Sequence, residues 1–329
     1  MAYNNIESRT SVQGLIPEDY SRDILQSVTQ ESAAMSMFRH VTMTRAQTRM
    51  PIMSALPTAY WVNPTDTGLK QTTEIDWANK YLNAEEIAVI VPIPESVLDD
   101  QAFDIWAESK PWLAAALGRT LDAAVFFGTN APGSFPTNIL AATQAAGNVS
   151  NTGTNAALAT SANGGFHADV DGLLGALEAD AFTANGFVAT RSVRASLRTA
   201  RATTGQRLNS FDNDSIAPDL STYLGLPIAY AMDGLWPAYN SVGPVLGAKM
   251  FALDTSQFML GIRQDMTWKL LDQAVIQDNT GAILYNLSQQ DMVAMRVVMR
   301  VGWQVSNAIN YQNSSSTTRY PAATLTTNS

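Results

Sequence analysis

Two rhythms of apolar residues dominate the chain. Ile75, Trp77, Asn79 and Tyr81, then Ile87, Val89, Val91 and Ile93, stand at every second position, which predicts extended strands. Leu113, Leu117, Leu121 and Val125 recur at every fourth position, one heptad after Trp106, which predicts a long helix over residues 103–127. At 1.5 Å per residue that helix is ~37 Å long. Pro111 should kink it or open its second piece, and Gly128 is a natural end. The Leu and Trp stripe reads as core packing.

Ahead of these strands, residues 47–62 read as extended chain interrupted by Pro51 and Pro57. Pro inside a strand confines it to an edge or a bulge. Asn63, Pro64, Asp66 and Gly68 are turn formers. Together with the alternation downstream, they predict a long two-armed hairpin with a polar tip over residues 65–73. Arms of ~18 residues would reach ~60 Å, against a radius of gyration of ~20 Å for a globule of this length. A lone two-stranded ribbon of that length is not stable in water, so it must lie across another surface. Tyr60, Trp61, Trp77 and Tyr81 have no obvious local core, which favours a neighbouring subunit over the chain's own domain as that surface.

Elsewhere the pattern is mixed. Residues 17–28 predict a short helix opened by Pro17, Glu18 and Asp19. Residues 128–168 are loop-rich, and 141–165, mostly Ala, Asn, Ser, Thr and Gly, read as an exposed insertion. Val170, Leu173, Leu174 and Leu177 form a helix face. Strands are expected at 186–190, 226–231 and 245–253, and a helix at 192–201. Residues 258–262, 266–270 and 291–305 read as strands, the last apolar on both faces in part, as a central strand is. The tail from Asn313 is rich in Ser and Thr, and no internal repeat is visible.

Composition narrows the class. A hydrophobic content of 46% excludes wholesale disorder. Only 15% of residues are charged, which leaves much uncharged surface of the kind that faces other protein. With no Cys and two His, a disulfide scaffold, a thiol nucleophile and a His-rich metal centre are excluded. No signal-peptide pattern opens the chain, and the apolar run at 87–93 is far short of a membrane helix. A net charge of -9 argues against a protein that coats nucleic acid. An acidic wall can still enclose nucleic acid without adhering to it.

Catalytic signals are weak, and no cofactor or metal is expected. Gly128 and Gly133 have phosphate-loop spacing, but Ser134 stands where Lys is needed and the segment follows a helix. The acid pairs Glu85/Glu86 and Asp99/Asp100 are sequence neighbours that do not converge, and the second resembles first-turn helix acids. No nucleophile elbow is present. His40 and His167 stand alone. One constellation is concentrated: Arg191, Arg194, Arg198 and Arg201 share a helix face, with Arg207 following. A solvated face, salt bridges between subunits and nucleic-acid contact all remain open readings.

The ordered set of elements resembles the major capsid proteins of tailed double-stranded-DNA bacteriophages, the Hong Kong 97 capsid fold. The resemblance covers nearly the whole chain. It runs through LPTAYWV (56–62), GLKQTTEIDWANKYLNAEEIAVIVPIPESVLDD (68–100) and DIWAESKPWLAAALGRTLDAAVFFG (104–128). It continues in GFVATRSVRASLRTARATTGQRL (186–208), LGLPIAY (224–230), MFALDTSQFMLGIRQDMTWKLL (250–271) and QDMVAMRVVMRVGWQVSNAINY (290–311). It implies an α+β fold with an N-terminal arm (1–40), an extended loop (41–85), a peripheral domain with the long spine helix (86–135 and 250–300), an axial domain (136–249 and 301–320) and a C-terminal tail (321–329). It implies a structural protein, not an enzyme, that builds pentamers and hexamers into an icosahedral head around phage DNA, in the virion, after assembly in the host bacterial cytoplasm. Tyr60, Trp61, Lys70, Trp77, Tyr81 and the Arg191, Arg194, Arg198 and Arg201 stripe are the candidate subunit contacts. A portal protein is an implied partner, and decoration proteins are a further one. Folded signals begin near Ile16, so a separate scaffolding protein is expected rather than an N-terminal scaffolding segment. Some family members cross-link through a Lys in this loop. Lys70 is placed for that, but no partner Asn or assisting acid matches a motif. The rival readings are an encapsulin-like shell around enzymes and, from another class, a soluble oligomeric hydrolase.

Overall fold

A computed structural model describes residues 31–62, 70, 72–99, 104–152, 166–199, 222–232, 234–237 and 247–327. The helix expected at 17–28, the turn formers of the hairpin tip, Arg201 and Arg207 lie outside these residues. In chain order the first elements are α1 (Ala33–Met37), β1 (Arg39–Thr42), β2 (Gln47–Ala55), β3 (Asp76–Asn83), β4 (Glu85–Pro94), α2 (Glu95–Asp99) and α3 (Ile105–Asp122). Then come α4 (Ile139–Ala146), β5 (Val149–Thr152), α5 (Phe166–Ala179), β6 (Gly186–Ala189), α6 (Ser192–Thr199), β7 (Thr222–Tyr223) and β8 (Leu226–Tyr230). The last are β9 (Gly247–Leu253), β10 (Phe258–Leu271), β11 (Val275–Gln277), β12 (Ile283–Asn286), β13 (Met292–Val305) and β14 (Ala322–Thr327).

The spine helix α3 begins where Asp104 accepts hydrogen bonds from the N–H groups of Trp106 and Ala107. Pro111 lies inside it without dividing it. The expected second half is different: residues Ala123–Phe127 form a π turn, closed by Gly128 at φ 71°. A π turn inserts one residue into the helical repeat. Here it accompanies a close aromatic cluster. Phe126 stacks on Phe251 at 5.6 Å, and Phe127 meets Trp236 edge-on at 5.3 Å. Asp99 closes α2 instead of opening it, and Glu95 is the acid in its first turn.

Two larger sheets flank the spine. A four-stranded sheet has the order β1-β10-β13-β4, and β13 is central as its two-faced apolar pattern demands. The two strands expected at 258–262 and 266–270 are one strand, β10, with register shifts between Ile262 and Thr267. A six-stranded sheet has the order β5-β14-β9-β6-β8-β7. Both its faces are covered. Val188, Phe251 and Ala322 share a core with the spine helix, whereas Phe187, Met250 and Leu325 share one with α5 and α6.

Two polar stretches are more ordered than their composition suggests. The expected insertion at 141–165 begins as helix α4, capped by Asn138, and continues into β5. The Ser/Thr-rich tail carries β14, which pairs parallel to β5 and antiparallel to β9. Thr324 and Thr326 are fully buried yet paired: Thr324 Oγ1 is 2.6 Å from Thr143 Oγ1, and Thr326 Oγ1 donates to the Ser150 carbonyl. The link from β13 to β14 is held by Asp180. Its carboxylate accepts from Asn148, Asn313 and the Tyr320 N–H.

Candidate subunit interface

The hairpin is shorter than alternation alone implies. β2 and β3 pair from Gln47↔Asn83 to Ala55↔Asp76, so the paired ribbon is nine residues against eight, or ~30 Å. The second alternating run, residues 87–93, is not part of the hairpin. It is β4, paired with β13. The chain changes sheets at Ala84, whose N–H donates to the Ala46 carbonyl. Pro51 sits in a ribbon with open edges, where a missing N–H is tolerated.

Register assigns the hairpin two faces. Thr48, Met50 and Ile52 share one with Ala78, Lys80 and Leu82; Arg49, Pro51 and Met53 share the other with Trp77, Asn79 and Tyr81. The first face binds the chain's own body. Leu82 is fully buried, and Lys80 Nζ donates to the Val305 carbonyl at 2.8 Å. The second carries exposed aromatics: Trp77 is 60% exposed and Tyr81 47%. Trp61 is fully exposed, with Tyr60 and Val62 exposed beside it in sequence, and Ile75 is exposed just ahead of Trp77. Lys70 is exposed.

The hairpin base is seated in a glycine notch. Gly261 and Gly302 oppose each other across β10 and β13. A Cβ on Gly302 would lie 1.9 Å from the Asn83 carbonyl oxygen, and one on Gly261 would lie 2.5 Å from Leu82 Cδ2. Only residues without side chains let the ribbon cross the sheet this closely. Upstream, α1 is held to the spine by buried Asp122, which accepts from Ser32 Oγ at 2.6 Å and from the N–H groups of Ala33 and Ala34. Burial pushes the Asp122 carboxyl above its ordinary range, and those three hydrogen bonds pull the other way.

The arginine stripe is not uniform. Val193 and Leu197 of α6 are buried, so the helix rests on the six-stranded sheet through them. Arg191 is exposed, whereas Arg194 is half-buried with its guanidinium 4.0 Å from the Tyr230 ring centroid. Arg194 is therefore committed in part to its own subunit. The Arg198 side chain and Arg201 lie outside what is described. A second apolar surface went unread in the sequence. Trp268 and Leu270 near the end of β10, with Val275, Ile283, Leu284 and Tyr285 of the β11–β12 hairpin, are all exposed. Its short runs lack the length that makes alternation informative. His40 and His167 each have a hydrogen-bond partner, Met35 O and Tyr223 Oη. Among the described residues no three acidic or His side chains gather to hold a metal ion.

The family model described as the phage capsid family matches residues 13–311. The chain belongs to the phage capsid family. The major capsid protein of Staphylococcus phage 80alpha is 24% identical over 311 residues, covering 92% of this chain and 86% of that protein. A solved structure from Microbacterium phage Oxtober96 matches at TM-score 0.80 with 33% identity, covering 98% of this chain and 99% of that one. One from Mycobacterium phage Adephagia matches at TM-score 0.80 with 27% identity, covering 99% of both chains. The capsid protein is thus a structural subunit that self-assembles into the shell of a phage virion, and it is not an enzyme. Its α+β architecture is the Hong Kong 97 type. Family membership sets aside the hydrolase alternative.

Proposed function

We propose that this capsid protein forms pentamers and hexamers of an icosahedral head enclosing double-stranded DNA, and that the β2–β3 hairpin of each copy lies over its neighbour. The observation that carries this is the outward face of the hairpin, with Trp77 and Tyr81 exposed while the opposite face, and a hydrogen bond from Tyr311 Oη to the Pro57 carbonyl, tie the ribbon to its own subunit. With about half of each residue still exposed, burying one removes ~100–150 Å² from water, worth ~2–4 kcal/mol at ~25 cal/mol per Å² before the costs of association. Repeated around a ring of heterologous contacts, this closes capsomers. Many such contacts make a strong shell.

In this reading the arm (1–40), extended loop (41–85), peripheral part (86–135 and 250–300) and axial part (136–249 and 301–320) are working units, and β14 joins the axial part through its pairing with β5 and β9. Assembly in the bacterial cytoplasm with a portal and a separate scaffolding protein belongs to the same proposal. Of the two described side chains of the stripe, Arg191 is the more exposed and is a candidate to meet acidic neighbours. Deleting residues 63–73 tests the overlap. Folded subunits that no longer give stable shells under the electron microscope support it, and normal shells of equal stability refute it.

A further inference from the structure

A cavity of about 410 Å³ opens between the hairpin base, α4, the end of β13 and the link to β14. Its polar lining includes Lys80, Thr137, Ser316, Thr317 and Arg319, with Tyr320 at its wall. No Asp or Glu lines it. Lys80 uses one of its three N–H donors, on the Val305 carbonyl. Arg319 is almost fully buried and spends three N–H groups on neutral acceptors, Asn307 Oδ1 and the carbonyls of Asn307 and Asn313. Its guanidinium carries five N–H groups in all, so two are left over. Neither cation forms an ion pair among the described residues. Tyr320 Oη is buried without a partner among them.

Two cations withdrawn from water beside each other are costly unless an anion joins them. Burial and, second, the charge of Arg319 hold the Lys80 ammonium below its ordinary value. The Asp180 carboxylate, held behind the wall by Asn313 and the Tyr320 N–H, partly offsets the cost at Arg319, but no described carboxylate of the subunit lines the cavity to meet Lys80. A chain with 29 acidic against 20 basic residues has carboxylates in excess to offer. We infer that the Lys80–Arg319 cavity is a binding site for a single oxyanion, filled in the assembled shell by a carboxylate of a second copy. The anion chemistry stands on the subunit alone, whereas the identity of the occupant rests on the shell reading above. The site would couple the hairpin base to the β13–β14 link only once a neighbour is in place.

Inorganic phosphate titrated into the full-length unassembled subunit tests the chemistry, with chloride at matched ionic strength as control. Saturable phosphate binding is expected, weakened tenfold or more in Lys80→Met, which keeps the aliphatic stem. Binding unchanged in Lys80→Met, or no saturable binding to the wild type, overturns the site. Should Lys80→Met not fold, phosphate-specific protection of the wild type against thermal unfolding decides the same point. Wild-type shells should then take up no phosphate at this site, and Lys80→Met shells should dissociate at lower urea. Shells that bind phosphate as the free subunit does would overturn the second copy as occupant and assign the site to a free anion.

Discussion

Replacing Gly302 by Ala tests the seating of the hairpin. Gly302 faces Asn83 across the notch, and an added Cβ would stand 1.9 Å from that carbonyl oxygen and 2.7 Å from its carbon. Ordinary carbon–oxygen contact needs ~3.3 Å, so the two backbones must part by over ~1 Å. The atom in the way is backbone at the register pair Gln47↔Asn83, next to the Ala84 to Ala46 hydrogen bond, so it cannot rotate aside. Overpacking of this kind costs ~1–3 kcal/mol. Gly302 is not among the glycines at positive φ, so Ala is conformationally admissible there and regains ~0.4–1 kcal/mol through the unfolded chain. The net expectation is a loss of roughly 1–2 kcal/mol. Urea unfolding of the unassembled subunit measures it, with hydrogen exchange over residues 47–55 and 76–83 as the local readout. Faster exchange confined to the hairpin and a lowered midpoint are expected. A midpoint equal to or above wild type, with unchanged exchange, would refute the notch.

Other perturbations address separate joints. Asp122→Asn removes one acceptor from the buried α1 anchor and should destabilise the subunit by ~1–3 kcal/mol at neutral pH. Because burial raises the Asp122 carboxyl, the folded state binds its proton more tightly than the unfolded chain. Wild-type stability relative to Asp122→Asn should therefore grow as pH falls from neutral toward the ordinary carboxylate range, which paired urea curves at pH 7.5 and 5 check. Trp77→Ser with Tyr81→Ser should leave subunit unfolding within ~0.5 kcal/mol, since both are surface positions, yet lower the urea concentration at which shells dissociate. Truncation after Tyr320 deletes β14 from between β5 and β9 and should abolish cooperative unfolding by circular dichroism.

The sequence was most legible where periodicity runs long. The spine helix and the β3, β4 and β13 strands follow their apolar rhythm. Partner choice does not, because it is set by residues far along the chain. Nothing local to Ile87 and Val89 says that they pair with Met299 and Val297 instead of extending the hairpin. The tail gave no strand signal, because Thr324 and Thr326 are polar residues in a Ser/Thr-rich stretch. They are buried with their hydroxyls paired, a condition that composition cannot express. Of the proposed interface, the exposure of Trp61 and Trp77 was readable, since neither had a local core in the sequence pattern. Arg194 was read as one of a stripe, and its contact with Tyr230 depends on a strand 36 positions away. The glycine notch and the Lys80–Arg319 cavity exist only after the hairpin, β13 and the last link have met.

Electron cryomicroscopy of assembled particles tests the central claim most directly. The account predicts closed icosahedral shells of pentamers and hexamers, with Trp77 and Tyr81 of each hairpin buried on an adjacent copy. Small oligomers of fixed size, or shells in which that aromatic face stays in solvent, would contradict it.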